Sequence, residues 1–158
     1  MKIVVSSCLL GLPTRYDGRS KLIEFSSGAA ELEFIPFCPE MEAGLGVPRE
    51  CIELVQLVDG SIRVMGRESR RDVTDVIEAC CLRMVEKLKK EAVACFILKA
   101  RSPSCGMISA LHDMSGREIG QAPGVWARIV AESFPGVPCV SEEDAYEPLL
   151  AVLAQKKL

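Results

Sequence analysis

The stretch VACFILKARSPSCG, Val93–Gly106, places an apolar run directly before a cluster of turn-forming residues. A short apolar run bounded by turn residues is typical of a strand buried in a parallel sheet. Because serine, proline and glycine favour turns, we expect the strand to end near Leu98 and Cys105 to lie in the following loop. The stretch therefore predicts an α/β protein with a thiol near the carboxyl end of a strand.

The rest of the chain is predicted to fold with this stretch into a single domain, residues 1–158. Hydrophobic residues make up 49% and charged residues 26%, a balance that favours a globular core over disorder. The net charge of −3 argues against a nucleic acid polymer as partner. No apolar segment reaches the roughly 18 residues of a membrane span, and the N-terminus lacks a signal-peptide pattern, so we expect a cytoplasmic protein without a membrane segment.

Strand and helix signals alternate along the chain in the order β-β-hairpin-α-β-α-β-α. The expected fold is α/β, with three layers and a mostly parallel, Rossmann-like sheet that carries one antiparallel hairpin. Strands are predicted in KIVVSSCLL, EFIPFCPE, AVACFIL and VPCVSEED, and a hairpin turn at Asp59-Gly60. Helices are predicted over 72–91, with Ser69 or Asp72 as its cap, in APGVWARIVAESF, and in EEDAYEPLLAVLAQ, residues 142–155.

The chain has eight cysteines, which in a reducing cytosol suggest metal binding, catalysis or simple burial rather than disulfides. Four of them fall inside predicted helices or strands, where a thiol usually behaves as a small buried hydrophobic group: Cys80, Cys81, Cys95 and Cys139. Cys51 begins a predicted strand, and the sequence leaves its role ambiguous, with structural burial as the favoured interpretation.

The remaining three cysteines, Cys8, Cys38 and Cys105, each stand where an apolar run gives way to a turn. The carboxyl ends of parallel strands meet at one crevice, so these thiols are able to converge there. Thiolates bind zinc, copper(I) and iron–sulfur clusters. The residues alone leave two interpretations open, one shared metal site or three separate thiols, because there is no Cys-x-x-Cys pair and His112 is expected in a loop without a partner.

The ordered motifs SSCLLG, RYDG, FCPE, GLGVPR, DVT and LKARSPSCG resemble a bacterial and archaeal family of iron–sulfur-dependent desulfidases that includes thiouracil desulfidase. The resemblance extends from Ile3 to about Glu143 and is to the stand-alone form, without the domain fused in some relatives. It implies a [4Fe-4S] cluster held by three cysteines, matched here by Cys8, Cys38 and Cys105, with the fourth iron left open.

The implied activity is the non-redox removal of sulfur from a small thiocarbonyl compound such as 2-thiouracil, which yields the oxo product and hydrogen sulfide. The resemblance assigns proton transfer to Glu40 and a proton-holding or relaying hydroxyl to Ser102. Asp17, a carboxylate beside Arg15 and Tyr16, and Ser104, directly before Cys105, are the substrate-binding candidates. Each has a structural alternative: Asp17 suits an ordinary Asp-Gly turn, Ser104 suits a hydrogen bond to local backbone, and Glu42 is able to replace Glu40.

Two other functions are compatible with the same residues. One is a cysteine-ligated metal-binding or redox-sensing module without desulfidase activity. The other is a thiol enzyme in which Cys105 is a nucleophile activated by a helix that starts after Gly106. Basic residues are second-rank candidates for neutralising a cluster or orienting a polar ring, namely Arg49, Lys99 and Arg101. Trp126 and His112 are expected to be packing or loop residues.

Overall fold

The computed structural model describes residues 1–25, 32–144, 148, 150 and 151. The strands are β1 (Lys2–Ser6), β2 (Glu33–Phe37), β3 (Ile52–Gln56), β4 (Ile62–Gly66), β5 (Val93–Leu98), β6 (Ser109–His112), β7 (Glu118–Ala122) and β8 (Cys139–Ser141). The helices are α1 (Pro39–Glu42), α2 (Thr74–Leu88) and α3 (Val125–Ser133), and a 3-10 turn covers Ser7–Leu10. Within the described ranges no helix is long and apolar enough to cross a bilayer.

A parallel sheet with the strand order β2-β1-β5-β8 forms the centre of the fold. One face of this sheet, represented by Val4 and Phe96, packs in a core with Trp126 of α3 and the apolar side of α2. The opposite face, represented by Ile3 and Ile97, packs in a second buried cluster. Burial on both faces explains why the two central strands, β1 and β5, are apolar runs in the sequence. The predicted α/β class with a parallel sheet is confirmed.

A second, mixed sheet has the strand order β4-β3-β6-β7. The predicted hairpin is its β3–β4 pair, which is antiparallel with Leu54 opposite Val64. The β6–β7 hairpin was not predicted, because β6 is short and every residue of β7 except the last is exposed, so neither has a strong alternating pattern. His112 is the last residue of β6, so its expected position in a loop is wrong.

Two element boundaries differ from the sequence prediction. The first strand ends at Ser6 rather than Leu10, because the chain passes directly into the 3-10 turn Ser7–Leu10. Gly11 ends this turn with φ 87°, a left-handed conformation that glycine adopts without strain. The second helix starts at Thr74, whose backbone N–H donates to Asp72 Oδ1 over 2.9 Å. The predicted closing helix over 142–155 falls largely on 145–147, 149 and 152–158, outside the described residues.

Candidate functional site

The three predicted ligand cysteines lie at the carboxyl edge of the parallel sheet. Cys8 lies in the 3-10 turn after β1, Cys38 directly follows β2, and Cys105 lies in the loop after β5. Because β1 lies between β2 and β5, these loops leave neighbouring strand ends. All three cysteines line one cavity of about 530 Å³. The structure therefore brings the three thiols together, and their role as ligands stays a prediction.

The loop that carries Cys105 is held against the start of α3. The backbone N–H of Trp126 donates to the carbonyl of Ser104 over 2.8 Å, and that of Gly106 donates to the carbonyl of Ser102 over 2.8 Å. A Cβ on Gly106 would lie 2.7 Å from Ser102 N, and one on Gly124 would lie 2.7 Å from Ser102 O. The turn-forming residues after β5 therefore build a tight loop that a larger side chain at either glycine would displace.

A chain of hydrogen bonds links the Cys105 loop to the carboxylate of Glu40. Ser104 Oγ donates to Glu40 Oε1 over 2.7 Å, and Ser102 Oγ lies 3.0 Å from Ser104 Oγ. The backbone N–H of Cys105 donates to Ser102 Oγ over 3.3 Å. Because the hydrogen of Ser104 is directed to Glu40, its oxygen accepts the hydrogen of Ser102. Ser104 thus bonds to a carboxylate, whereas the sequence also allowed a bond to local backbone.

Arg49 completes the surroundings of Glu40. Its Nε lies 2.6 Å from Glu40 Oε2, and its Nη1 and Nη2 donate to the carbonyls of Gly46 and Thr14 at 2.7 and 2.8 Å. Its side chain is only 7% exposed, so Arg49 is a buried partner of Glu40 and not a solvated surface residue. Glu42, the alternative to Glu40, is exposed to solvent.

A second buried carboxylate holds two lysines at the cavity beside Cys8. Glu142 has a side chain only 2% exposed, and its Oε1 lies 2.9 Å from Lys99 Nζ and 3.0 Å from Lys21 Nζ. Both lysines line the cavity. Two cations against one carboxylate leave a net positive charge next to the thiols, which suits the negative charge that thiolate ligands bring.

Burial dominates the acid–base behaviour of the three thiols. It raises the pKa of Cys8 to about 12, and the neighbouring Cys105 and Cys38 sulfurs act in the same direction. Burial likewise raises the pKa of Cys38 to about 11, and it raises the pKa of Cys105 as well. Without a bound metal these groups are therefore neutral thiols near pH 7, and metal ligation must release their protons.

These properties do not suit Cys105 as an activated nucleophile. A reactive cysteine needs a lowered pKa, often from a helix start, whereas the pKa of Cys105 is raised. The expected helix after Gly106 is also wrong, because the chain continues through Met107 and Ile108 directly into β6.

Of the other predicted residues, Arg101 lines the cavity, whereas Asp17 and Trp126 do not. Asp17 does not line the cavity and instead accepts a hydrogen bond from the backbone N–H of Arg19, so its substrate-binding role stays a prediction. Arg101 lines the cavity but pairs with Glu143 at an exposed position. Trp126 is buried in the core, as expected.

The remaining cysteines do not line the cavity, with one exception. Cys80, Cys81 and Cys95 are buried away from the cavity, and Cys139 is partly buried. Cys51, by contrast, lines the cavity from the mixed sheet. Sequence reasoning could not place it there, because the second sheet brings it to the cavity only through the unpredicted β3–β6 pairing.

The three cavity-lining thiols have the chemistry that an iron–sulfur cluster requires, because cysteine thiolates are the ordinary ligands of such clusters. They lie on separate loops around one cavity, so the residues present fit the cluster that the sequence resemblance implies.

Comparison with known proteins identifies the family. A family model described as 2-thiouracil desulfurase matches residues 3–143. A Bacillus subtilis (strain 168) protein, named Uncharacterized protein YbbK, is 29% identical over 149 residues, which cover 90% of this chain and 96% of that protein. The solved structure of the [4Fe-4S]-dependent thiouracil desulfidase TudS (DUF523Vcz) is 30% identical with a TM-score of 0.76, and the match covers 99% of each chain. The resemblance predicted from the motifs is confirmed, and this chain is an enzyme of the 2-thiouracil desulfurase family.

Proposed function

We propose that this protein is a [4Fe-4S]-dependent desulfidase that replaces the sulfur of a small thiocarbonyl compound, such as 2-thiouracil, with oxygen from water. The thiocarbonyl compound and water are converted to the oxo compound and hydrogen sulfide. No atom changes its oxidation state, so the reaction needs no oxidant or reductant. The observation that carries the proposal is the convergence of Cys8, Cys38 and Cys105 on one cavity that Glu40 and Ser102 also line.

The cluster would be held by the thiolates of Cys8, Cys38 and Cys105, one on each of three neighbouring loops. When bound, it supplies an open iron that acts as a Lewis acid toward the thiocarbonyl sulfur. The cavity of about 530 Å³ has the size of a small-molecule site and is able to hold a single pyrimidine ring. A small thiolated compound, rather than a nucleic acid polymer, is therefore the proposed partner.

The proton transfers are assigned to the hydrogen-bonded chain from Ser102 to Glu40. Water at Ser102 Oγ is able to give a proton to that hydroxyl while Ser102 passes its own proton to Ser104, and Ser104 passes its proton to Glu40 Oε1. Glu40 is the final acceptor in this direction and the donor in reverse. Arg49 fixes the other carboxylate oxygen, so Oε1 stays directed at the relay.

The proposed compartment is the cytoplasm. All eight cysteines are free thiols in the structure, and a reducing compartment keeps cluster ligands available.

Residues 1–158 are proposed to act as one domain, because the cavity draws its lining from loops of both sheets.

The experiment that tests the proposal is anaerobic reconstitution followed by analysis of iron, acid-labile sulfide and sulfide release from 2-thiouracil. The wild-type chain is expected to bind iron and sulfide in equal amounts and to release hydrogen sulfide together with uracil. Cys8→Ala is expected to lose both cluster and activity. Cys139→Ala is the matched control, because this cysteine lies outside the cavity and its loss should leave both intact.

Two results would contradict the proposal in different ways. A fully reconstituted cluster that leaves every thiolated pyrimidine unchanged would exclude the substrate class. Zinc without acid-labile sulfide in anaerobically purified protein would favour the alternative of a metal-binding or sensing module.

A further inference from the structure

A buried hydroxyl that no step of the proposed reaction uses lies against the Cys105 sulfur. Ser6 is the last residue of β1 and is only 4% exposed. Its Oγ lies 3.4 Å from Cys105 Sγ and 2.9 Å from the backbone nitrogen of Lys99. Ser6 therefore joins the carboxyl ends of two neighbouring strands to the loop that carries one predicted ligand.

The two contacts fix the direction of the hydroxyl hydrogen. The N–H of Lys99 is only a donor, so it occupies a lone pair of Ser6 Oγ. The single hydrogen of Ser6 is then free for Cys105 Sγ. The arrangement follows from the sheet, because β1 and β5 pair up to Val5 and Ile97, and Lys99, the residue directly after β5, then donates its backbone N–H to the serine hydroxyl.

The other serine hydroxyls near Cys105 are already engaged. The hydrogen of Ser104 is directed to Glu40, and the hydrogen of Ser102 is directed to Ser104. The side chains of both serines approach the Cys105 sulfur, as Ser6 does. Among these hydroxyls, Ser6 is the one whose hydrogen has no oxygen acceptor in the network.

We propose that Ser6 is a positioning residue that donates a hydrogen bond to the Cys105 thiolate when the cluster is bound. This inference rests on the proposed function, because the Cys105 sulfur is held as a thiolate, and so as a lasting hydrogen-bond acceptor, only when it ligates the cluster. A donor to a ligand sulfur withdraws electron density, which raises the reduction potential of the cluster and strengthens its iron as an electron acceptor. The bond also fixes the orientation of the Cys105 sulfur toward the cavity.

The test compares the reduction potential of the reconstituted cluster in Ser6→Ala and in matched variants. The cluster in Ser6→Ala is expected to have a more negative reduction potential than the cluster in the wild type. Ser6→Thr keeps the hydroxyl, so its cluster should have the wild-type reduction potential. Thr74→Ala is the control, because Thr74 is a buried hydroxyl that also accepts from a backbone N–H, that of Val64 over 2.7 Å, but lies outside the cavity. Its potential should equal that of the wild type.

An unchanged potential in Ser6→Ala, with a full cluster, would overturn the inference while leaving the proposed function intact. A wild-type chain that assembles no cluster would contradict both. If Ser6→Ala does not fold, the Fe–S(Cys) vibrations of the wild-type cluster are compared in H₂O and D₂O by resonance Raman spectroscopy. A deuterium shift of these bands is expected, and its absence would overturn the inference.

Discussion

Arg49 Nε lies 2.6 Å from Glu40 Oε2, and both side chains are almost completely buried. The remaining guanidinium nitrogens donate to the carbonyls of Gly46 and Thr14, so one side chain ties the carboxylate to two separate loops. The backbone N–H of Arg49 also donates to the carbonyl of Tyr16 over 2.9 Å. Arg49 therefore both pairs with the Glu40 carboxylate and holds the loops of Thr14 and Gly46 beside it.

Replacing Arg49 should therefore cost both stability and turnover. Arg49→Ala leaves a buried carboxylate without its partner, so we expect a loss of about 3 kcal/mol in the free energy of unfolding, measured by urea titration of the metal-free chain. Arg128→Ala is the control, because the Arg128–Glu78 pair is partly exposed and should contribute less than about 1 kcal/mol. Equal losses in the two variants would contradict the importance of the buried pair.

Ser104 is the middle member of the proposed proton relay. Ser104→Ala removes the donor to Glu40 Oε1 and the acceptor for Ser102, so turnover should fall roughly 100-fold. Iron content should stay at the wild-type level, because no ligand changes. The measurement is the rate of sulfide release per cluster, with Ser61→Ala in the distant hairpin turn as control. Wild-type turnover in Ser104→Ala would remove the relay from the mechanism.

The Cys105 loop should tolerate no side chain at Gly106. The Cβ of Gly106→Ala would lie 2.7 Å from Ser102 N, which is backbone, so the loop must shift. We expect a stability loss of about 1–3 kcal/mol and a lower iron content after reconstitution. Gly120→Ala is the matched control, since its Cβ meets nothing within 4 Å. If Gly106→Ala binds iron as fully as Gly120→Ala, the tight loop is not needed to place Cys105.

The Glu142 carboxylate should make stability dependent on pH on the acid side. Burial alone would raise the pKa of Glu142, but hydrogen bonds from Lys99, the Ala100 backbone and Lys21 outweigh it and hold the pKa below its usual value. Its stabilising effect is therefore fully present above the unfolded-state value of about 4.3 and is lost as the pH falls through the lower folded-state pKa.

Glu142→Gln is accordingly expected to be less stable than the wild type at pH 7, with a difference that shrinks below about pH 4. Urea unfolding of the metal-free chain across this range provides the measurement. Glu143→Gln serves as control, because its pair with Arg101 is exposed and should change stability little at any pH. A stability difference for Glu142→Gln that is the same at pH 7 and pH 3 would contradict this assignment.

The parts of the fold that follow from local patterns were predictable. The buried strands of the parallel sheet are continuous apolar runs, and the Asp59-Gly60 turn marks the β3–β4 hairpin. The β6–β7 hairpin was not predictable, because β7 is almost wholly exposed and so lacks an alternation of apolar and polar residues. Its place in the sheet comes from its backbone pairing with β6. The pairing of β3 with β6, which was not predicted either, explains why the positions of Cys51 and His112 at the cavity were not foreseen.

The sequence by itself determined which cysteines leave strand ends, because an apolar run followed by a turn is a local signal that needs no distant contact. Cys8, Cys38 and Cys105 carry that signal, and their shared edge follows from parallel pairing. Only the tertiary structure decided what surrounds them: the Arg49 contact with Glu40, the relay through Ser104 and the Ser6 hydroxyl at Cys105. Ser6 and Cys105 are 99 residues apart, and no local pattern encodes a hydrogen bond across that separation.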